Sequence, residues 1–262
     1  MHWWNDDRNL RPLVLFLAAV SLFVILWMVP GDERVPESQG LTWTPAPSPE
    51  EGEAEEAETV SEAERQAERE AYLASLEGDG VWRAFGDLDF CLLGDSRIVG
   101  FSFYDYLPEE RVLAEYGASI PYIRTRLEDF EALAPDTVIL AFGINDMLTG
   151  IWPSPEDYAA QVLSDVSRLR ERVPGADYYV SSILPALPPA LTENPVWEEV
   201  PAYDRALMEM CAENGLTFID SSTLARSRTD LYAADGLHLD AAFYPLWGRV
   251  MLEAVYDAHL SP

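Results

Sequence analysis

"FCLLGDSRIVGF", Phe90 to Phe101, decides how the rest of the chain is read. The apolar run in "LDFCLL" (88–93) suits a strand, and Gly94-Asp95-Ser96 then marks a sharp exit into a helix, with Asp or Ser at the N-cap. Two readings of that exit compete. It is either an ordinary turn, or it holds Ser96 as a nucleophile at the mouth of a sheet, backed by a helix N-terminus. Three residues do not decide between them, and the partners that a nucleophilic serine requires must be sought elsewhere.

Four further segments read as strands: 111–116, 137–142, 177–184 and 216–220. Between them, Ile123, Leu127, Phe130 and Leu133 make one helical apolar face. Tyr158, Val162, Val166, Leu169 and Val173 make another, and residues 197–214 and 241–259 also suit helices. Strands alternating with helices imply a mainly parallel sheet covered on both faces, within one domain over 81–262. Ligands of such sheets bind beyond the carboxyl ends of the strands, so chemistry-bearing residues should directly follow strands. Ser96, Gly117, the block "GIND" (Gly143 to Asp146) and the block "DGLHLD" (Asp235 to Asp240) all fall on that rim.

A serine hydroxyl is almost fully protonated at neutral pH and needs a base in reach, oriented by a third group. Of the domain's two histidines, His259 lies near the chain end and reads as a surface residue. His238 follows Asp235 by three residues, a spacing that a tight turn converts into a carboxylate–imidazole contact. Taken alone, Asp-x-x-His is an ordinary surface loop; its place on the same rim as Ser96 gives it meaning. The backbone N–H groups of Ser96 and Gly117 and the side-chain amide of Asn145 are candidate donors to an oxyanion. Each has a plainer reading as a turn or cap residue.

The ordered set Gly94-Asp95-Ser96, Gly117, Gly143-Ile144-Asn145-Asp146 and Asp235-Gly236-Leu237-His238 resembles the SGNH (GDSL-type) hydrolase family over roughly residues 86–260. The resemblance implies a three-layer α/β/α sandwich around a five-stranded parallel sheet of flavodoxin-like order, and hydrolysis of carboxylic esters through an acyl-serine. It implies Ser96 as nucleophile, His238 as base and Asp235 as orienting carboxylate. Ser96 N–H, Gly117 N–H and Asn145 would form the oxyanion hole, with neither metal nor organic cofactor required. Asp95 and Asp146 read as loop-fixing residues. Arg97 stands where the usual motif has Leu, either as an exposed first-turn residue or in contact with an anionic or sugar-like substrate. The segment 185–200 should border the site, with Trp197 in a substrate-facing wall or in a rigid structural loop. An acyltransferase with the same triad, or an inactive surface-binding module on the same fold, are the rival functions.

The 262-residue chain carries a formal net charge of −29, with 46 acids against 17 basic residues, all of them Arg. That balance argues against a nucleic-acid partner, because phosphate binding needs a basic surface. Leu13 to Val29 is an uncharged run of 17 residues. As a helix it would span roughly 26 Å, the short end for a bilayer. Arg8 and Arg11 precede it and acids follow, so the positive-inside rule predicts a cytoplasmic tail (1–12), a single membrane anchor (13–29) and an extracytoplasmic remainder. A cleaved signal peptide is the competing reading, although "WMVPGDE" offers no small-x-small cleavage site. Residues 30–80 read as a Pro-rich and acidic linker, partly helical, with a capping signal at Ser61 to Glu64 and the character of a solvated stalk. The expected substrate is an acylated carbohydrate at the cell surface. Cys91 and Cys211 could pair in an exported protein, but read more simply as buried small hydrophobes.

Overall fold

The computed structural model describes residues 61–260, so the tail, the anchor and the linker before Ser61 lie outside the described residues. The strands are β1 (Phe90–Gly94), β2 (Val112–Ala114), β3 (Thr137–Ala141), β4 (Asp177–Ser181) and β5 (Thr217–Ile219). They form one parallel sheet in the order β2-β1-β3-β4-β5, the flavodoxin-like order. The first half of the chain supplies helices α1 (Glu62–Ser75), α2 (Gly80–Asp87), α3 (Ser96–Phe103), α4 (Leu127–Leu133) and α5 (Ile144–Thr149). The second half supplies α6 (Pro155–Arg172), α7 (Pro188–Glu193), α8 (Val200–Glu213), α9 (Ser221–Ser227) and α10 (Tyr244–Leu260). Among the described residues, no helix is long and apolar enough to cross a membrane.

All five residues of β1 and of β3 are buried, as covering both faces requires. Alternate residues go to opposite sides: Cys91, Leu93, Val138 and Leu140 join α6 and α8 in one core. Phe90, Leu92, Ile139 and Ala141 join α2, α3 and α10 in the other. In register, Gly94 lies beside Ala141, so the ends of β1 and β3 are level at the carboxyl rim. Glycine is required at that end, since a Cβ on residue 94 would lie 2.3 Å from the Ile98 side chain and 2.8 Å from the Ala141 carbonyl.

All five expected strands form, several of them shorter than expected. β2 ends at Ala114 because Glu115 to Gly117 already turn out into solvent. β4 ends at Ser181; beyond it the Ile183 N–H leaves the sheet to donate to Asp204 Oδ1. The apolar face over Ile123–Leu133 is not one helix. A 3-10 turn over Ile120–Thr125 gives way to α4 at Arg126, and likewise a 3-10 turn over Pro195–Glu199 precedes α8.

α1 has the predicted capping box: Ser61 Oγ accepts from Glu64 N–H, and the Glu64 carboxylate accepts from Ser61 N–H. It is not, however, a stalk surrounded by water. Arg69 pairs with Glu253 and, in bidentate fashion, with Asp257 on α10, Tyr72 stacks on Tyr256 at 4.1 Å, and Leu76 is buried. These contacts place α1 with the domain rather than with the linker. Cys91 and Cys211 are both free thiols, and burial pushes each up to about 12.

One half-buried acid is tied to the end of β4. Asp204 accepts from Ile183 N–H at 2.7 Å and meets Ser222 Oγ at 2.9 Å, while Ser222 Oγ also lies 3.0 Å from the Ile183 carbonyl. A hydroxyl has one proton, so Ser222 donates to the Ile183 carbonyl or to Asp204, and its donation to Asp204 favours the ionised acid. Burial raises its carboxyl from 3.8 to about 6, against the opposing pull of those two hydrogen bonds. The neutral form is thus favoured by folding: the resulting stability is full below pH ~4 and is lost as pH rises through ~6. Asp204→Asn, which imitates the neutral acid, should flatten the stability–pH curve between pH 4 and 6. It should also raise stability at pH 8 by about 1–3 kcal/mol, readable by urea denaturation.

Candidate active site

The site forms where three strand ends and one turn meet. Asp95, immediately after β1, caps α3 by accepting the Arg97 N–H at 2.9 Å, and this sets Ser96 at the first position of the helix. Ser96 is half-buried, and its Oγ lies 3.0 Å from His238 Nε2. His238 Nδ1 lies 2.7 Å from Asp235 Oδ2. An ionised carboxylate can only accept, so Nδ1 carries the proton, and Nε2 is left to accept from the serine hydroxyl.

The Asp235–His238 turn is held from both sides. Asp235 Oδ1 accepts the backbone N–H groups of Leu237 at 2.8 Å and His238 at 3.0 Å. Leu187 N–H donates to the Gly236 carbonyl at 2.8 Å, and Tyr232 donates its hydroxyl to the Pro185 carbonyl. Partial burial pushes the Asp235 carboxyl up, but hydrogen bonds from the His238 ring and the two N–H groups outweigh it and hold the acid below its ordinary value. The pair stays open to water, with 43% of the His238 side chain and 50% of the Asp235 side chain exposed. His259 is on the far segment of α10, exposed, 3.3 Å from Asp177 and remote in sequence from the rim turn.

Gly117 lies in the exposed turn after β2 with a φ of +75°, which leaves its backbone uncovered by any side chain. Asn145, in the first turn of α5, donates from Nδ2 to the Ala118 carbonyl at 2.9 Å, which leaves its second amide proton for another acceptor. Asp146 adds a second strut, its Oδ1 accepting Ile120 N–H at 2.9 Å and Trp152 Nε1–H at 3.3 Å. Asn145 and Asp146 therefore fasten the loop after β3 to the loop after β2, the two loops that carry the expected oxyanion donors. Asp146 Oδ2 is buried without a hydrogen-bond partner. Burial raises the acid to about 6; the Ile120 and Trp152 bonds pull against this and the neighbouring Asp95 adds to it.

Neither of the two side chains for which a substrate contact was one reading is open to a ligand, and for Trp197 the structure agrees with the other reading, a rigid structural loop. Arg97 is neither an exposed first-turn residue nor open to a ligand: it is buried, pairs with Asp95 at 3.1 Å and donates to the Leu184 carbonyl at 2.8 Å. Trp197 is also buried and donates its Nε1–H to the Ile144 carbonyl at 2.8 Å, so it braces the start of α5 instead of facing a substrate. A guanidinium two residues from a strand-end carboxylate is the signal for the first of these. For Trp197 the sequence holds no comparable sign. Among the described residues, no group of three or more His, Cys, Asp or Glu is placed to hold a metal ion.

A serine hydroxyl, an imidazole and a carboxylate in series at the carboxyl rim of a parallel sheet make the arrangement of a serine acyl hydrolase. The profile of the GDSL-like Lipase/Acylhydrolase family matches residues 92–246, more than half of the chain, and the chain belongs to that family of hydrolases. No curated protein matches it. Among solved structures, a candidate acylhydrolase from Bacteroides fragilis is similar at a TM-score of 0.53 and 17% identity, over 64% of this chain and 86% of that one. A GDSL-like lipase from Bacteroides thetaiotaomicron gives 0.52 and 15%, over 64% and 88%. A candidate GDSL-like lipase from Parabacteroides merdae gives 0.51 and 16%, over 64% and 96%. At these identities the likeness is one of fold.

The two-strut link between the loops has a kinetic consequence. Asp146→Ala removes the strut to Ile120 while leaving Ser96, His238 and Asp235 in place. It should lower kcat by roughly 10–100-fold with KM changed by less than about threefold, because misplaced donors weaken only the charge that develops in the transition state. Initial-rate kinetics on an aryl acetate would measure it, and a loss confined to KM would count against the strut.

Proposed function

We propose that the protein is a serine esterase that cleaves carboxylic esters through an acyl-serine intermediate. The observation that carries this reading is the unbroken series Ser96 Oγ, His238 Nε2, His238 Nδ1, Asp235 Oδ2, at 3.0 and 2.7 Å. In the first half-reaction Ser96 Oγ attacks the ester carbonyl carbon and its proton passes to His238 Nε2. The carbonyl π electrons move to the oxygen, which the N–H groups of Ser96 and Gly117 and the Asn145 amide would receive. Collapse of the tetrahedral species expels the alcohol, which takes the proton from His238 Nε2. In the second half-reaction water gives a proton to the same nitrogen, attacks the acyl carbon, and returns Ser96 as the carboxylic acid departs. Asp235 holds the imidazole in the required tautomer throughout and offsets its transient charge.

The substrate class that fits best is a short O-acyl group on a carbohydrate. A triad this open leaves room for a bulky alcohol part, and the acidic surface disfavours polyanions. In the same reading, Leu13–Val29 anchors the chain in the cell membrane and the esterase domain works outside the cytoplasm on cell-surface glycans. Arg8 and Arg11 ahead of the run, and the acids after it, support that orientation.

The full-length chain, offered a short-chain aryl ester and a fluorophosphonate probe, should turn over the ester and become labelled. Ser96→Ala should lose labelling and about 10⁴-fold or more of kcat, and His238→Ala a comparable amount. His259→Ala should leave the rate unchanged. Equal losses at the two histidines, or labelling that survives in Ser96→Ala, would overturn the assignment. A product in which the acyl group ends on an added hydroxyl acceptor would make the enzyme a transferase.

A further inference from the structure

A groove of about 680 Å³ runs along the outer side of α3, between that helix, the chain that follows it and the turn after β2. One of its walls is α3, the helix that Ser96 opens, and the other carries the turn after β2. Val99 and Phe103, which line it, follow Ser96 at i+3 and i+7, so all three share one face of α3 and Phe103 lies about 10 Å along the axis from the serine. On the opposite wall Tyr116 is the residue immediately before Gly117. Phe103 and Tyr116 are 66% and 64% exposed, the two most exposed large hydrophobic side chains among the described residues, and both border this groove.

The remaining lining narrows the ligand chemistry. Ser102, Asp105 and Glu109 add one hydroxyl and two carboxylates, and no lining residue is basic. Val99, Leu107 and Pro108 also line it, but a hydrocarbon chain would lie against two carboxylates with which it can form no hydrogen bond. An anionic ring would be repelled by the same two groups. An uncharged sugar ring meets neither penalty: its C–H face covers an aromatic face, and its hydroxyls donate to carboxylates.

We propose that this groove is a subsite for a neutral sugar residue of the substrate's alcohol part, with Phe103 and Tyr116 as its aromatic faces and Asp105 and Glu109 as its hydroxyl acceptors. The inference rests on the esterase reading above, and deepens it by assigning the residues that select the alcohol. The ester carbonyl sits at Ser96 while the glycan leads away along α3, which makes alcohol selection separable from the chemistry.

The test compares specificity constants for two ester types on the full-length chain. One is an aryl acetate with no sugar; the other is an O-acetylated neutral trisaccharide, drawn from glucose, xylose and N-acetylglucosamine series. Phe103→Ala and Tyr116→Ala should each lower the ratio of sugar-ester to aryl-ester kcat/KM at least tenfold, mainly through KM. Glu109→Gln should lower it less, and Met208→Ala, an exposed apolar side chain on α8, should leave it unchanged. A ratio unmoved by Phe103→Ala and Tyr116→Ala in every series would overturn the subsite while leaving the esterase intact. Should neither ester turn over, the esterase reading fails, and the subsite is then judged by calorimetric binding of the unacetylated trisaccharides. Binding that is lost in Phe103→Ala would uphold it, and no binding would remove it.

Discussion

The structure turns on a buried ion pair two residues long. Asp95 and Arg97 flank Ser96, are 0% and 3% exposed, and satisfy each other through three contacts, one from the Arg97 backbone and two from its guanidinium. The guanidinium also donates to the Leu184 carbonyl beyond β4, and Tyr244 at the head of α10 donates its hydroxyl to the Arg97 carbonyl at 3.0 Å. One three-residue span therefore joins the end of β1, the start of α3, the exit of β4 and the first turn of the last helix. Breaking such a pair leaves a buried charge uncompensated, at a cost of about 3–5 kcal/mol. The serine sits inside that knot, where its position is fixed by contacts other than its own.

The same logic extends to the two loops that bear the expected oxyanion donors. They belong to β2 and β3, which are not neighbours in the sheet, because β1 lies between them. Nothing in the ladder keeps them in step at the rim. The Asn145 and Asp146 side chains supply that registration by bridging to Ala118 and Ile120. Leu187 and Pro185 do the same for the turn that carries Asp235 and His238. Donors aligned before substrate arrives need no reorganisation at the moment of reaction.

Much of this could be read from residues alone, for reasons of covering and sequence distance. Uncharged runs such as Phe90–Gly94 and Thr137–Ala141 can be placed only inside, so the strands and the parallel sheet follow from them. The Asp235–His238 contact is local, three residues apart, and Ser96 follows a strand, so both announce themselves on the rim. What escaped depends on contacts between distant residues. Arg97 looked exposed because an isolated arginine is, and only the Leu184 carbonyl, 87 residues on, completes its burial. Trp197 is spent on the Ile144 carbonyl, 53 residues away. The acidic composition around α1 suggested a helix in water, whereas Arg69 finds its carboxylates near the other end of the chain.

That last arrangement gives the domain a mechanical property. Arg69 and Tyr72 grip α10 at Glu253, Tyr256 and Asp257, beyond its first two turns and away from the loop that bears His238. The first and last helices of the described residues are thereby clamped to each other by a forked ion pair and a stacked ring, on residues other than those that hold the catalytic turn or the Asp95–Arg97 knot.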